Sequence, residues 1–324
     1  MAILQSGSPA RRSRLAGPAR AKRKKSLRSR PIGFLFVLPW ILGLLMFYVG
    51  PMLATLWMSF TNYKYSSRLG TPVDYVGFAN WSRLFDDPQV AVGAKVTLRF
   101  AMFFIPLSMI LPIAVAYLLT SKHLWGRGFF RAMFFLPAIV PAVSGLFIWS
   151  GYLNSQDGWL NRLLGVFKIP GPEWGTNPSW VLPSYALIAT WGIGNAVLIF
   201  ISALNGVPKD LYEAGRLDGA GSWGLFRNVT WPMISPITFY NLVITLVALG
   251  QYFIVPFILT RGTGEPQQSA SFYTMYFYKE SFNSYDAGYG SALAWMMFIV
   301  IMSITGLLFW SQRFWVHYEF QENK

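Results

Sequence analysis

Apolar residues run almost unbroken from Gly33 onward, divided by shorter polar segments. A helix that crosses a bilayer needs about 20 mainly apolar residues. Six stretches qualify: 32–57, 96–120, 129–153, 181–207, 234–259 and 290–310. Each contains Gly or Pro, which would weaken a soluble helix. Inside a bundle, neighbouring helices can satisfy the backbone groups that such residues free. The pattern predicts an all-α polytopic membrane protein with six transmembrane helices. Between the third and fourth stretches, Asp157-Gly158 and Pro170-Gly171-Pro172 signal turns. The short apolar run Trp159–Phe167 between them suits a helix lying along the membrane surface.

Composition supports lipid as the main solvent. Of 324 residues, 54% are hydrophobic and 12% charged, with a mean hydropathy of +0.39. Soluble domains carry about 25% charged residues, so an ordinary cytosolic enzyme is excluded. Net charge is +14. Much of it lies in an arm over 1–31, with Arg11, Arg12, Arg14, Arg20, Lys22, Arg23, Lys24, Lys25, Arg28 and Arg30 and no acidic residue. Its composition predicts disorder in isolation. The apolar run that follows is longer than a signal-peptide core of about 7–15 residues, so no cleaved leader is expected. A basic arm can bind nucleic acid. Beside a span it reads instead as a topology signal with attraction to anionic lipid.

Loop charges orient the chain. With the N-terminus inside, the cytoplasmic segments gather the arm, then Lys122, Arg127 and Arg131, then Lys209, Arg216 and Arg227, then Arg313 and Lys324. The outer loops hold Lys64, Arg68, Arg83, Lys95, Arg162, Lys168, Arg261 and Lys279. Arg99 lies inside the second stretch, about one turn from its outer end, where it can snorkel to the interface. Both termini, including a tail over 316–324, are thus expected in the cytoplasm. Trp81, Trp159, Trp174 and Trp180 fall in outer loops. They suit an interfacial belt or a docking surface for an external partner.

Candidate chemistry is sparse. There is no Cys, which removes disulfides, thiolate metal sites and cysteine nucleophiles. His123 and His317 have no metal-ligand partner at useful spacing, so no metal and no other cofactor is expected. No Gly-x-x-x-x-Gly-Lys-Ser/Thr loop is present, so an energy source of that kind must be another subunit. No catalytic acid, base or metal set appears. The main alternative is a secondary, ion-coupled transporter. Proton-coupled carriers embed carboxylates in their spans, and none of the six stretches contains Asp or Glu.

The segment 208–232 is the most informative. Pro208 suits the first turn of a helix, and Asp210 then sits near its positive end. Leu211, Ala214, Gly215 and Asp218 share a face at i, i+3, i+4 and i+7. The small residues there permit close approach of another surface. Gly219-Ala220-Gly221 makes a turn, Ser222 is placed to cap a second helix, and Pro232 and Pro236 are placed to end it. The result is a helix–turn–helix shaped to enter a groove on a partner. Alone, Glu213 reads as a surface carboxylate paired with Arg216.

The residues Glu213-Ala214-Gly215, Asp218-Gly219-Ala220 and Val229-Thr230-Trp231-Pro232 resemble the EAA motif of ABC importer permeases. That motif runs Glu-Ala-Ala, three residues, Gly, nine residues, then Ile-x-Leu-Pro. The spacing is intact; Gly215, Val229 and Trp231 depart from it. Gly215 costs the helix up to about 1 kcal/mol relative to Ala. The stretches Gly33–Trp40, Gly50-Pro51, Ser59–Asn62, Tyr75–Trp81, Leu84–Asp86, Phe130-Arg131, Phe135–Pro137 and Leu259–Pro266 are similar to the carbohydrate (maltose and glycerol-3-phosphate) subfamily. The resemblance implies a binding-protein-dependent inner-membrane component, multi-pass in a bacterial cytoplasmic membrane, acting in sugar import. It implies a second homologous permease forming a heterodimer, two copies of a cytoplasmic ABC ATPase and an extracytoplasmic solute-binding protein. Glu213, Ala214, Gly215, Asp218, Gly219, Ala220 and Pro232 then contact the ATPase. The solute path is expected along spans four and five, at Trp191, Asn195, Thr245, Gln251 and Tyr252. Trp191 and Asn195, four apart, are expected on one helical face.

Overall fold

The computed structural model describes residues 31–65, 72–121 and 124–318, with side chains from Phe34. The basic arm, Arg68, Lys122, His123 and the tail beyond Tyr318 lie outside them, with the expectations placed there. Among the described residues, four helices are long and apolar enough to cross a membrane, or six if each of two bent pairs counts as one span.

Contacts divide the chain into two units, between Met52 and Leu53. The first holds helix α1 (Pro31–Leu44) and a π turn at Leu45–Val49. Helix α2 (Gly50–Met58) carries the chain on. The second unit begins with a knot of polar contacts. Ser59 and Thr61 are buried, and Asn80 donates to both their carbonyls at 3.0 and 2.8 Å. Trp81 donates through Nε1 to Ser59 Oγ at 3.2 Å. The two family-like segments Ser59–Asn62 and Tyr75–Trp81 therefore hold each other.

After the short helix α3 (Ala79–Asp86) comes α4 (Pro88–Thr120), which starts eight residues before the expected span. Asp87 caps it, accepting from the Gln89 N–H at 2.9 Å, and Pro88 suits its first turn. At 1.5 Å per residue α4 is about 50 Å long, against a hydrocarbon core of about 30 Å. Its long uncharged part is Phe100–Thr120. Arg99 thus stands at the edge of that part, three turns into the helix rather than one. Helix α4 packs along α8 (Pro178–Trp191), α9 (Gly194–Gly206), α12 (Trp231–Gly250) and α14 (Tyr273–Tyr278). Phe100 of α4 and Phe200 of α9 are fully buried.

The expected third and fourth spans are both broken. Arg127–Ile139, which contains α5 (Arg127–Phe135), and α6 (Ala142–Tyr152) meet at 107°, across Val140-Pro141. Helices α8 and α9 meet at 57°, across Gly192-Ile193. The second bend lets Gly194 press on another backbone: a Cβ there would lie 2.3 Å from the Phe134 carbonyl oxygen. Trp191 and Asn195 therefore do not share a continuous helical face.

Between α6 and α8 lies α7 (Trp159–Val166). Its Leu160 and Leu164 pack on the core, while Trp159, Leu163 and Val166 face outward. Trp174 is no belt residue. It is buried, and its indole N–H donates to Asn161 Oδ1 at 2.7 Å.

The chain then passes through α10 (Lys209–Leu217) and α11 (Ser222–Leu225), and from α12 into α13 (Ile254–Leu259), α14 and α15 (Ala287–Trp315). Several prolines sit inside these helices, and three freed carbonyls are met by named side chains. Pro112 leaves the Ser108 carbonyl without its usual donor, and Asn241 Nδ2 supplies one at 3.2 Å. Pro236 frees the Pro232 carbonyl, which Ser235 Oγ reaches at 2.7 Å. Pro256 cannot donate to Tyr252, whose carbonyl accepts from Thr274 Oγ1 at 2.8 Å. This is how a bundle tolerates proline where no water reaches.

Candidate functional site

Helix α10 is built to stand alone on the surface. Asp210 lies in its first turn and Arg216 in its last, each complementing the helix dipole. It ends in a Schellman motif. Gly219 adopts φ +80°, its N–H donates to the Arg216 carbonyl at 3.0 Å, and the Ala220 N–H donates to the Gly215 carbonyl at 2.9 Å. An L side chain at 219 would be strained there. The N-cap of α11 is Gly221, and no side chain caps it. Ser222 is the first helical residue, not the cap expected of it.

The departure from the motif at Gly215 sits at a contact within the loop. A Cβ at 215 would lie 2.7 Å from Leu225 Cδ2. The small-residue position is thus used inside the loop, where α10 meets α11, rather than offered to another surface. Tyr212 and Thr230 hydroxyls meet at 2.9 Å and close the far end of the same contact. What α10 presents outward is Glu213, Ala214, Asp218 and Leu217, the last 89% exposed, with Trp223 beside them at 72%. Among the described residues Glu213 makes no ion pair, so the expected partnership with Arg216 is not formed.

The loop does not end at Pro232. From Ser222 the helix runs through a π turn at Phe226–Thr230 into α12, so Ser222–Leu259 forms one candidate span. The wider π turn gives the Pro232 ring room that an α turn denies. Pro236 likewise sits inside the helix. Phe226 also meets Tyr117, near the end of α4, with ring centroids 6.1 Å apart.

At its other end α12 stops at Gly250, and Gln251–Phe253 is non-helical before α13. The three breaks, at Val140-Pro141, Gly192-Ile193 and Gln251–Phe253, border one cleft of about 410 Å³. Trp191, Gln251 and Tyr252 line it, with Trp149 and Gly145. Trp149 and Trp191 meet edge to face at 6.2 Å. Gln251 is exposed to the cleft, whereas the Tyr252 hydroxyl donates to the Tyr185 carbonyl at 3.3 Å. Asn195 and Thr245 do not line it. Asn195 is exposed beyond the bend, and Thr245 is buried within the packing of α12. Trp149 was not among the expected residues. The signals for it, Pro141 and the Gly-rich Trp191–Gly194 run, mark where helices break rather than which side chains meet.

The opposite end of α4 is fastened by charge. Asp87 accepts from the hydroxyls of Tyr276 and Tyr289, the latter at 2.7 Å. Arg83 lies 3.7 Å above the Tyr289 ring and 3.0 Å from Asp286. Partial burial pushes the Asp87 carboxyl up. The two hydroxyls, the Gln89 N–H and the Arg83 charge outweigh that, and hold it below its ordinary value. Among the described residues no three His, Cys, Asp or Glu side chains gather to hold a metal.

Comparison with known proteins agrees with this architecture. The profile of the binding-protein-dependent transport system inner membrane component family matches residues 95–316. Probable ABC transporter permease protein YesP of Bacillus subtilis is 32% identical over 304 residues, 93% of this chain and 97% of that protein. Lactose transport system permease protein LacF of Rhizobium radiobacter is 27% identical over 285 residues, 87% of this chain and 94% of LacF. A chain of a bacterial alginate ABC transporter, solved with an alginate pentasaccharide-bound periplasmic protein, superposes with a TM-score of 0.72 at 21% identity. The superposition covers 87% of this chain and 94% of that one, and speaks for the fold. These relatives favour an importer permease over an ion-coupled carrier. With its apolar helices, broken spans and surface loop, the chain belongs to the binding-protein-dependent transport system inner membrane component family, the permease subunits of ABC importers.

Proposed function

We propose that this permease conducts a sugar or sugar-like solute and is driven by a separate ATPase that docks on α10. The observation that carries the reading is mechanical. The loop's second helix is continuous with α12, and α12 ends at Gly250, beside Gln251 in the cleft where three helices break. A partner moving α10 and α11 therefore moves one wall of the cleft through the unbroken helical path Ser222–Gly250. Glu213, Ala214, Asp218 and Leu217 form the exposed contact. Gly215, Gly219, Ala220 and Pro232 shape the loop that presents it.

The loop faces the cytoplasm in this reading, as do both termini. Two copies of the ATPase serve a heterodimer of this chain and a second homologous permease. A solute-binding protein delivers the solute at the opposite face, in keeping with the family. Sugar as the solute rests on relatives such as the lactose permease and on the cleft itself. Trp149, Trp191 and Gln251 offer aromatic faces and an amide to the C–H faces and hydroxyls of a pyranose, and backbone broken at mid-helix is typical of transport sites. Tyr252, whose hydroxyl bonds the Tyr185 carbonyl, and the buried Thr245 support the cleft by packing.

The test is uptake of labelled sugars by the assembled complex. Glu213→Lys and Gly219→Val are expected to abolish uptake while the chain still inserts and its spans still form. Uptake at the parent rate in both variants would overturn the coupling role. Gln251→Ala should change rate or selectivity among sugars, and unchanged transport of every sugar would remove Gln251 from the path.

A further inference from the structure

We infer that a row of aromatic side chains in contact with one another, leading away from Gln251, is a track for pyranose rings, along which the solute reaches the cleft. The inference rests on the sugar-permease reading above and extends it to residues outside that cleft.

The row begins at the break. Phe253 lies 4.9 Å from Phe257 and 5.0 Å from Tyr278, ring centre to ring centre. Tyr278 is 5.0 Å from Phe282. Phe282 stacks on Tyr65 at 6.1 Å with the planes only 10° apart, and Tyr65 meets Tyr63 at 5.7 Å. The inner end opens beside Gln251. Phe253, Tyr278 and Gln251 line a second cleft, of about 360 Å³, on the other side of that residue. The outer end lies off the spanning helices, in the segment after α2 and in the π turn Lys279–Asn283.

Exposure separates this row from ordinary core. A second aromatic cluster nearby, built on Phe100 and Phe272, is sealed, with both side chains at 1% exposure or less. In the row, Phe282 is 49% and Tyr65 50% exposed, and Tyr278 and Phe253 are half-buried. Each of these rings therefore keeps part of its surface open beyond its contacts with its neighbours. The support beneath them is rigid. Ser281 Oγ bonds the Phe277 carbonyl at 2.8 Å, Asp286 N–H bonds the Glu280 carbonyl at 3.0 Å, and Tyr276 is tied to Asp87. A wide turn held in this way keeps Phe282 pointing outward.

The chemistry fits a carbohydrate. A pyranose has apolar C–H faces that stack on aromatic rings, and its hydroxyls remain free for water or for the Tyr hydroxyls at 63, 65 and 278. The open parts of successive rings let a chain of sugars leave one ring as it meets the next, with no deep trap along the way. A sequence of weak, similar sites is what conduction requires.

The experiment uses the full complex, this permease with its partner subunits, in proteoliposomes. Uptake of labelled oligosaccharides of increasing length is measured for the parent, Tyr278→Ala, Phe282→Ala and Tyr65→Ala. Each alanine variant is expected to slow uptake by about two- to tenfold, the worth of one lost ring contact, and more for longer chains. Phe282→Trp, which keeps a ring, should match the parent rate. A purely structural role would instead give losses independent of chain length. Alanine variants that assemble and carry every sugar at the parent rate would overturn the track alone. A parent complex that carries no sugar would overturn both the track and the sugar reading.

Discussion

Asn241→Leu tests how the bundle accommodates Pro112. Leu has nearly the shape of Asn but no donor. The Ser108 carbonyl then loses the bond at 3.2 Å and, because Pro112 has no N–H, gains no replacement from its own helix. Asn241 is 7% exposed, so water does not substitute readily. An orphaned buried carbonyl costs about 1–3 kcal/mol in protein interiors. Hydrogen bonds between membrane helices are worth less, about 0.6 kcal/mol on average and up to about 1.7. The expected loss is therefore about 1 kcal/mol. The decisive measurement is a double-mutant cycle with Pro112→Ala, which returns an N–H four residues after Ser108. In that background Asn241→Leu should cost close to nothing. The weaker contact of Asn241 with Met109 Sδ, at 3.7 Å, is present in both backgrounds and cancels. Reversible unfolding in mixed micelles, followed by tryptophan fluorescence, reads each corner. An equal loss in both backgrounds would refute the account.

Three further outcomes are expected. Asp87 has a lowered pKa in the folded chain, so its contacts with Tyr276, Tyr289 and Arg83 stabilise fully above the ordinary carboxylate value of about 4. That stability is lost as pH falls through the lowered value. Asp87→Asn should be less stable at neutral pH and should flatten the acid limb of a stability–pH profile; an unchanged profile would count against the network. Gly215→Leu should loosen the loop, since even a Cβ meets Leu225 at 2.7 Å. Proteolysis between 218 and 222 should speed up, and Leu225→Ala should relieve it. The outward face of α7 should lie in the lipid interface, with Trp159 66% exposed and Arg162 5.8 Å from its ring. With the other tryptophans replaced by phenylalanine, brominated lipids should quench Trp159 fluorescence; emission typical of water with no quenching would place α7 elsewhere.

Hydropathy located six apolar stretches because the requirement for about 20 apolar residues is a property of the bilayer and needs no partner. The loop at 208–232 was legible for a similar reason. Its helix, its Gly219 turn and its exposed face come from local rules of propensity, chirality and charge. What local rules could not supply was the path of the backbone within a stretch. The breaks at Val140-Pro141 and Gly192-Ile193 fall in segments as apolar as their flanks. Gly194 can bend where it does because the Phe134 backbone is there to meet it. The pairing of Trp191 with Asn195 failed on that bend.

The amino-acid order alone thus determined the solvent, the helical class, the family and the loop that stands clear of the bundle. The family shows in the spacing of the motif it resembles; the rest follows from contacts a residue makes with lipid, water or its near neighbours. Tertiary structure alone decided which side chains answer the carbonyls freed by Pro112 and Pro256, and that Trp149 and Trp191 share a cleft with Gln251. Those facts join residues tens to more than a hundred positions apart, and only close packing brings them within reach of a hydrogen bond or a van der Waals contact.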